Sequence, residues 1–413
     1  MLGIIHYTTN GTDGVSLEIQ KRARALKKLN IRYKLIDKYI FPFLDLTKNR
    51  TINFLKLNLK DSKKIKCNYL QIQKEAQNFC KIFIKYFKKH KIYKLYVHNL
   101  FSLPIKPAVT LGLLKAINKL KIKTISVDHD FWQTRSYFKQ ECFRLLNPFP
   151  PKNNLIMHQV INSLDVKFLK NNGITNYKII NDYWDKSIIK YFTGFTDFGV
   201  MNFNGLNADN QFVFLNATRI IRRKAIENSI YFVYWFKKMS EQSLLVKKEP
   251  VLLLSNIENI DKNYLLQLQK LAKELNVKLI LSENKKYFWN LYKLANVILY
   301  TTIKEGFGNQ FLEAIYFGKP LVLFEYPVFK VDIKPKGFKY ISLGDKVVYK
   351  DQFYLVSSYK IKQAVKKLAQ YLIKPQSNWN KLANKNKTLL NKHYGQQKLL
   401  SDIQEDLRWF EFK

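Results

Sequence analysis

Acidic residues and cysteine are both scarce in this chain. Only 31 Asp and Glu stand against 71 Lys and Arg, a formal charge of +40 over 413 residues. Cys67, Cys80 and Cys142 are widely spaced and odd in number. That argues against a disulfide scaffold and against a cysteine-based metal pattern. A reducing cytoplasm is therefore the expected location. No uncharged apolar run approaches the roughly 18 residues that a bilayer crossing requires. The start, Met1-Leu-Gly-Ile-Ile-His-Tyr7, lacks the basic region and cleavage site of a secretory leader and reads as a buried strand. A dinucleotide fingerprint is missing too. Gly11-Thr-Asp-Gly14 follows that strand but departs from Gly-x-Gly-x-x-Gly, which disfavours a nicotinamide-type site.

The surplus of positive charge has two readings. It suits an anionic partner: a glycan, a lipid surface or nucleic acid. It also fits a composition rich in Lys, Asn, Ile, Tyr and Phe, because the lysines are spread along the whole chain. No groove-reading module is visible, so a nucleic-acid partner is not expected. Peripheral contact with the inner face of an anionic membrane remains an expectation.

Hydrophobic residues make up 47% of the chain, enough for sizeable cores, and the length allows two or three domains. Strand-like runs and helical periodicities alternate from the start. Strands are expected over residues 2–8, 31–36, 92–97, 122–127, 154–159 and 177–180, with helices over 15–29, 69–89 and 108–120 between them. Residues 191–210, Gly- and Asn-rich with little periodicity, read as a linker. The alternation then restarts, with strands expected at 212–215, 251–254, 277–281, 297–300 and 321–324. Helices over 361–373, 379–393 and 397–412 close the chain. The division is residues 1–190, completed by 396–413, then the linker, then 211–395.

Polar residues cluster where the strands end. His98-Asn99 follows one and Asp128-His129-Asp130 the next. Open parallel sheets bind ligands at such edges. A packed core histidine is the plain alternative at each position.

The most informative stretch is Thr302–Pro320, TIKEGFGNQFLEAIYFGKP. It joins two strand-like runs through a tight turn and a helix. Gly306 and Gly308 stand at the turn, where the backbone bends or lets a ligand approach. A helix N-terminus there offers unpaired N–H groups to a phosphate. Glu305 and Glu313, eight residues apart, fall near one azimuth of that helix.

This stretch resembles the E-x7-E motif of retaining glycosyltransferase family 4. The match runs through Glu305, Gly306, Phe307, Gly308, Glu313, Ala314, Gly318 and Pro320. Upstream, Arg219 and Lys224 match the family's R-x4-K. The resemblance implies an α/β chain of GT-B type: two Rossmann-like parallel-sheet domains facing each other across a cleft, with the C-terminal helix crossing back. It implies hexosyl transfer from a nucleotide sugar (a UDP- or GDP-hexose) with retention. On it, Arg219 and Lys224 neutralise the diphosphate, Glu305 accepts hydrogen bonds from hexose hydroxyls, and Glu313 binds ribose. Gly14 and Val15, with Gly306, Phe307, Gly308 and Asn309, complete the donor site. His129 positions the hexose, while Asp13, His98, Asn99 and Asp130 stand on the acceptor side. Residues 282–286 hold the base. No cofactor is required, and no Asp-x-Asp metal site of the other large glycosyltransferase fold is read in the chain. The acceptor stays open: a glycan, a lipid, or a small molecule of glycerate type. A non-catalytic module of the same fold, holding anionic glycan or membrane by its basic face, is the alternative.

Overall fold

The computed structural model describes residues 1–11, 13–46, 69–135, 146–187, 189, 206–207, 209–243, 246–255, 260–282 and 288–411. Chain contacts divide it into two units, Met1–Tyr183 with Gln397–Lys413, and Trp184–Gln396. Most of the expected linker lies outside the described residues.

The first unit holds six strands: β1 (Leu2–Ile5), β2 (Tyr33–Ile36), β3 (Lys94–His98), β4 (Lys123–Asp128), β5 (Ile156–Val160) and β6 (Tyr177–Ile179). Every pairing is parallel, in the order β2-β1-β3-β4-β5-β6. Helices cover both faces, so β1 and β5 are buried along their whole length; β1 reads as an apolar run, whereas β5 carries His158 and Gln159 to buried polar partners. On one face, Phe83 and Phe87 of helix Tyr69–Lys89 and Leu113 and Ile117 of helix Pro107–Leu120 build the core. These two helices meet at Gly112, where a Cβ would come within 2.6 Å of the Phe79 Cβ and 2.9 Å of the Ala76 carbonyl.

Helix Gly14–Lys28 and the last helix, Gln396–Glu411, cover the other face through Ile19, Leu26, Leu399, Ile403 and Phe410. A buried polar network pins that last helix. Asp406 accepts from the Tyr96 hydroxyl at 2.8 Å, from Gln159 Nε2 at 2.6 Å and from Arg22 at 3.4 Å. Arg22 also donates to Gln159 Oε1 at 3.0 Å, so each buried polar group is answered by another.

The second unit repeats the plan with β7 (Gln211–Asn216), β8 (Glu249–Ser255), β9 (Lys278–Ser282), β10 (Val297–Tyr300), β11 (Leu321–Leu323) and β12 (Ile341–Ser342). The parallel order is β12-β11-β10-β7-β8-β9. In each sheet the strand order reverses once, between β1 and β3 and between β7 and β10. Ligands of open α/β sheets bind outside the C-terminal ends of strands at such reversals.

Three local features depart from the sequence expectations. β1 stops at Ile5 rather than running to residue 8. The turn expected after β11 continues into a π-helical coil, Phe329–Ile333. An unexpected hairpin, β13 (Val348–Lys350) with β14 (Phe353–Leu355), turns through Asp351 and Gln352 at φ of +49° and +67°. Glycine usually marks such a turn. Here two ordinary residues fill it, held from below by buried side chains: Glu227 accepts from the Tyr354 N–H at 2.6 Å and Asn228 from the Val356 N–H at 2.8 Å.

Candidate active site

In the second unit the loops after β7 and β10 are stitched together by their backbones. The Arg223 carbonyl accepts from the Ile303 N–H at 3.0 Å, and the Lys224 carbonyl accepts from Thr301 Oγ1 at 3.0 Å. Those bonds bring Lys224 against Glu305. The ammonium donates to Glu305 Oε1, and the two side chains are only 9% and 12% exposed. Arg223 grips the other oxygen at 3.0 Å and also donates to the Lys304 carbonyl. The Tyr300 hydroxyl reaches Oε1 at 3.2 Å. Burial alone would raise the Glu305 carboxyl, but Lys224 and then Arg223 overcome it and hold the group down at about 2. Burial lowers the Lys224 ammonium from its ordinary value; Arg223 and Arg219 add to that, and Glu305 opposes it. Arg219 is therefore close enough to act on Lys224, although it is itself exposed.

The segment after β7 leads into a helix that begins at Glu227. Before it, Arg222–Lys224 form one 3-10 turn and Ala225 takes φ +46°. That turn aims Lys224 inward at Glu305.

Of the glycine pair, only Gly308 has a positive φ, +125°. It precedes helix Asn309–Phe317 as its N-cap. A Cβ there would collide with the Tyr326 hydroxyl and come within 3.0 Å of the Tyr300 hydroxyl. Gly306 has no such conformation. Phe307 turns its ring into the core against Tyr394, centroids 5.2 Å apart, and its carbonyl accepts from the Tyr326 hydroxyl at 2.6 Å. Glu313 lies mid-helix and accepts from the buried Tyr292 hydroxyl. Residues 283–286 of the expected base loop lie outside the described residues.

In the first unit the ends of β1, β3 and β4 gather three histidines. His98 Nδ1 lies 3.1 Å from His129 Nε2, with the rings stacked at 5.4 Å. His6 Nδ1 bonds the His98 carbonyl at 2.8 Å. Burial drives all three imidazoles below their ordinary value, His98 well below and His129 to about 3, so the cluster is neutral at physiological pH. Asn99, at φ +59°, accepts from the backbone N–H of His129 at 2.8 Å and of Asp130 at 3.2 Å. It therefore fixes the loop that carries both.

Asp13 caps its helix: Oδ1 accepts from the Val15 and Ser16 N–H groups at 3.1 Å and Oδ2 from Ser16 Oγ at 2.6 Å. Val15's N–H thus already has a partner. Gly14 begins the helix and is exposed.

One correction concerns metals. Asp128-His129-Asp130 is itself an Asp-x-Asp triplet, which the sequence reading passed over. Asp128 is taken by His158 Nδ1 at 2.7 Å and Ser126 Oγ at 2.6 Å, and Asp130 by Arg135 at 2.5 Å. Among the described residues no group of three metal-capable side chains occurs. No described helix is long and apolar enough to cross a membrane.

Sequence reasoning missed Arg223, Tyr300, Tyr292 and His6. For Arg223 the sequence held no signal; its place emerges only in the structure, where a buried carboxylate facing a buried lysine needs further donors. Tyr300 stood at an expected strand end, but His6 fell inside an expected strand and Tyr292 lies in helix Phe288–Leu294, and the partners of all three were not legible.

Two Rossmann-like units, each an open parallel sheet whose strand order reverses once, place the chain in the GT-B fold class. Residues 201–388 match the family described as glycosyl transferases group 1. Two relatives named mannosylglucosylglycerate synthase match nearly end to end. That of Petrotoga mobilis is 32% identical, over 91% of this chain and 94% of its own. That of Thermotoga maritima is 33% identical, over 91% and 92%. A glycosyltransferase from Rickettsia africae shares the fold at TM-score 0.65 and 13% identity, over 99% of this chain and 97% of its own. The chain belongs to the group 1 glycosyltransferases.

Proposed function

We propose that this enzyme transfers a hexosyl group, mannosyl by likeness to its relatives, from a nucleotide sugar to a small glycosylated glycerate, with retention at the anomeric carbon. The observation that carries the reading is the buried Lys224–Glu305–Arg223 cluster beside the Gly308-capped helix. It joins buried positive charge and a helix N-terminus, both suited to a diphosphate. Negative charge builds on the leaving diphosphate as the glycosidic bond breaks. Lys224, Arg219 and the N–H groups at Asn309 would neutralise it, the lysine as a point charge and the arginine as a planar fork. Glu305 would accept from hexose hydroxyls and Glu313 from ribose. In the first unit, the neutral imidazoles of His129 and His98 suit sugar hydroxyls as both donor and acceptor. Asn99 and Asp130 would stand with them, and Asp13, Gly14 and Val15 at the neighbouring loop. The acceptor's carboxylate would find a favourable field around a chain of net charge +40.

Lys224→Met tests the reading. Removing a preorganised charge of this kind costs about 10²–10³-fold in turnover. Retention of most of the turnover by a folded Lys224→Met protein would overturn the assignment. A screen of UDP- and GDP-sugars for thermal stabilisation identifies the donor.

A further inference from the structure

Lys224 faces two demands on the proposed reading. It is the ion-pair partner of Glu305, and it is the ligand of the donor's diphosphate. When the ammonium turns to phosphate oxygens, Glu305 keeps a buried carboxylate that would be costly to leave without a cation. Arg223 occupies the right place to meet that need. Its Nη1 reaches Glu305 Oε2, the oxygen that Lys224 does not use, at 3.0 Å. The same nitrogen donates to the Lys304 carbonyl, next door to Glu305. The Arg223 carbonyl, in turn, accepts from Ile303 N–H at 3.0 Å and Thr302 Oγ1 at 3.4 Å. Backbone and side chain of one residue thus clamp the loop that presents Glu305.

Resting on the proposed function, we infer that Arg223 is a positioning residue that keeps Glu305 charged and correctly aimed while Lys224 serves the donor diphosphate. An exposed surface pair would contribute little. Here the carboxylate is 12% exposed and the guanidinium 33%, so the bond is held largely out of water. Arg223 touches no reacting atom on this account; it acts through Glu305.

The test uses the full-length enzyme with Arg223→Gln and Arg223→Lys. Three readouts are needed: steady-state kinetics with the nucleotide sugar, UDP and GDP affinity by calorimetry, and the pH profile of kcat, which reports ionisation in the donor-bound enzyme. Arg223→Gln should lower kcat about 10- to 100-fold, as losing one charge-assisted bond does. Its nucleoside diphosphate affinity should stay within about 3-fold, because Lys224 is intact. The acid limb of its profile should move toward neutral, since Glu305 then has one cation fewer. Arg223→Lys should restore part of the turnover and move the limb back. An unchanged kcat and acid limb in a folded Arg223→Gln protein would overturn the inference. So would a tenfold loss of diphosphate affinity, which would make Arg223 a phosphate ligand. If the wild-type enzyme bound neither UDP nor GDP, the underlying reading would fall first, a result distinct from either.

Discussion

Replacing Glu305 by Gln keeps the side chain's shape and removes its charge. Lys224 would then be buried opposite a neutral amide. The drop of the Glu305 carboxyl from its ordinary 4.5 to about 2 corresponds to about 3 kcal/mol of stabilisation. Breaking a buried pair by removing one partner costs a similar amount, about 3–5 kcal/mol. For a unit of roughly 200 residues this is a fall in melting temperature of about 6–12 °C. The sign with pH follows from the direction of the shift. A lowered carboxyl stabilises above the unfolded value of 4.5 and loses that contribution as pH falls through about 2. The gap between wild type and Glu305→Gln should therefore be full at pH 7 and shrink below about pH 4. Scanning calorimetry of the two proteins across pH measures it. A second consequence follows from the freed ammonium: added nucleoside diphosphate should raise the variant's melting temperature more than the wild type's. A variant that melts within about 2 °C of wild type at pH 7 would refute the reasoning, because the ion pair would then not be a buried one.

Glu227 predicts the opposite pH trend. Burial raises its carboxyl to about 7, so its contribution is present below 4.5 and lost as pH rises through about 7, roughly 3 kcal/mol in all; Glu227→Gln should flatten stability over that window in urea titrations. Gly308→Ala combines a backbone at φ +125° with a collision against Tyr326. The backbone alone costs about 1–3 kcal/mol, so the variant should melt well below wild type or fail to accumulate as soluble protein. Asp406→Asn leaves Arg22 buried without its carboxylate partner. The cost of about 3–5 kcal/mol should loosen the last helix, read as faster proteolytic release of the C-terminal residues.

The two-sheet plan was legible because parallel strands buried on both faces leave apolar runs with little else to be. Val297–Tyr300 has the bounds expected, as does helix Tyr69–Lys89. Strand ends were less well marked. The regular ladder with β2 runs only to Ile5, although the His6 N–H still donates to the Ile36 carbonyl at 3.1 Å and His6 Nδ1 meets the His98 carbonyl at 2.8 Å. The hairpin at Asp351-Gln352 was hidden because its turn residues carry no glycine, and it is the buried Glu227 and Asn228 that hold it. The Lys224–Glu305 meeting was anticipated only as two motifs. What joins them is a set of backbone bonds between loops some eighty residues apart, which no local pattern encodes. Arg223 escaped notice because it is one arginine among many lysines and arginines, and its partner lies 82 residues away.

The most direct measurement is product NMR on the reaction of the purified enzyme with GDP- or UDP-mannose and a glucosylglycerate acceptor. The account predicts a mannosylated product whose new bond keeps the anomeric configuration of the donor, and its near-complete loss in Lys224→Met. An inverted product, or full turnover without Lys224, would contradict it.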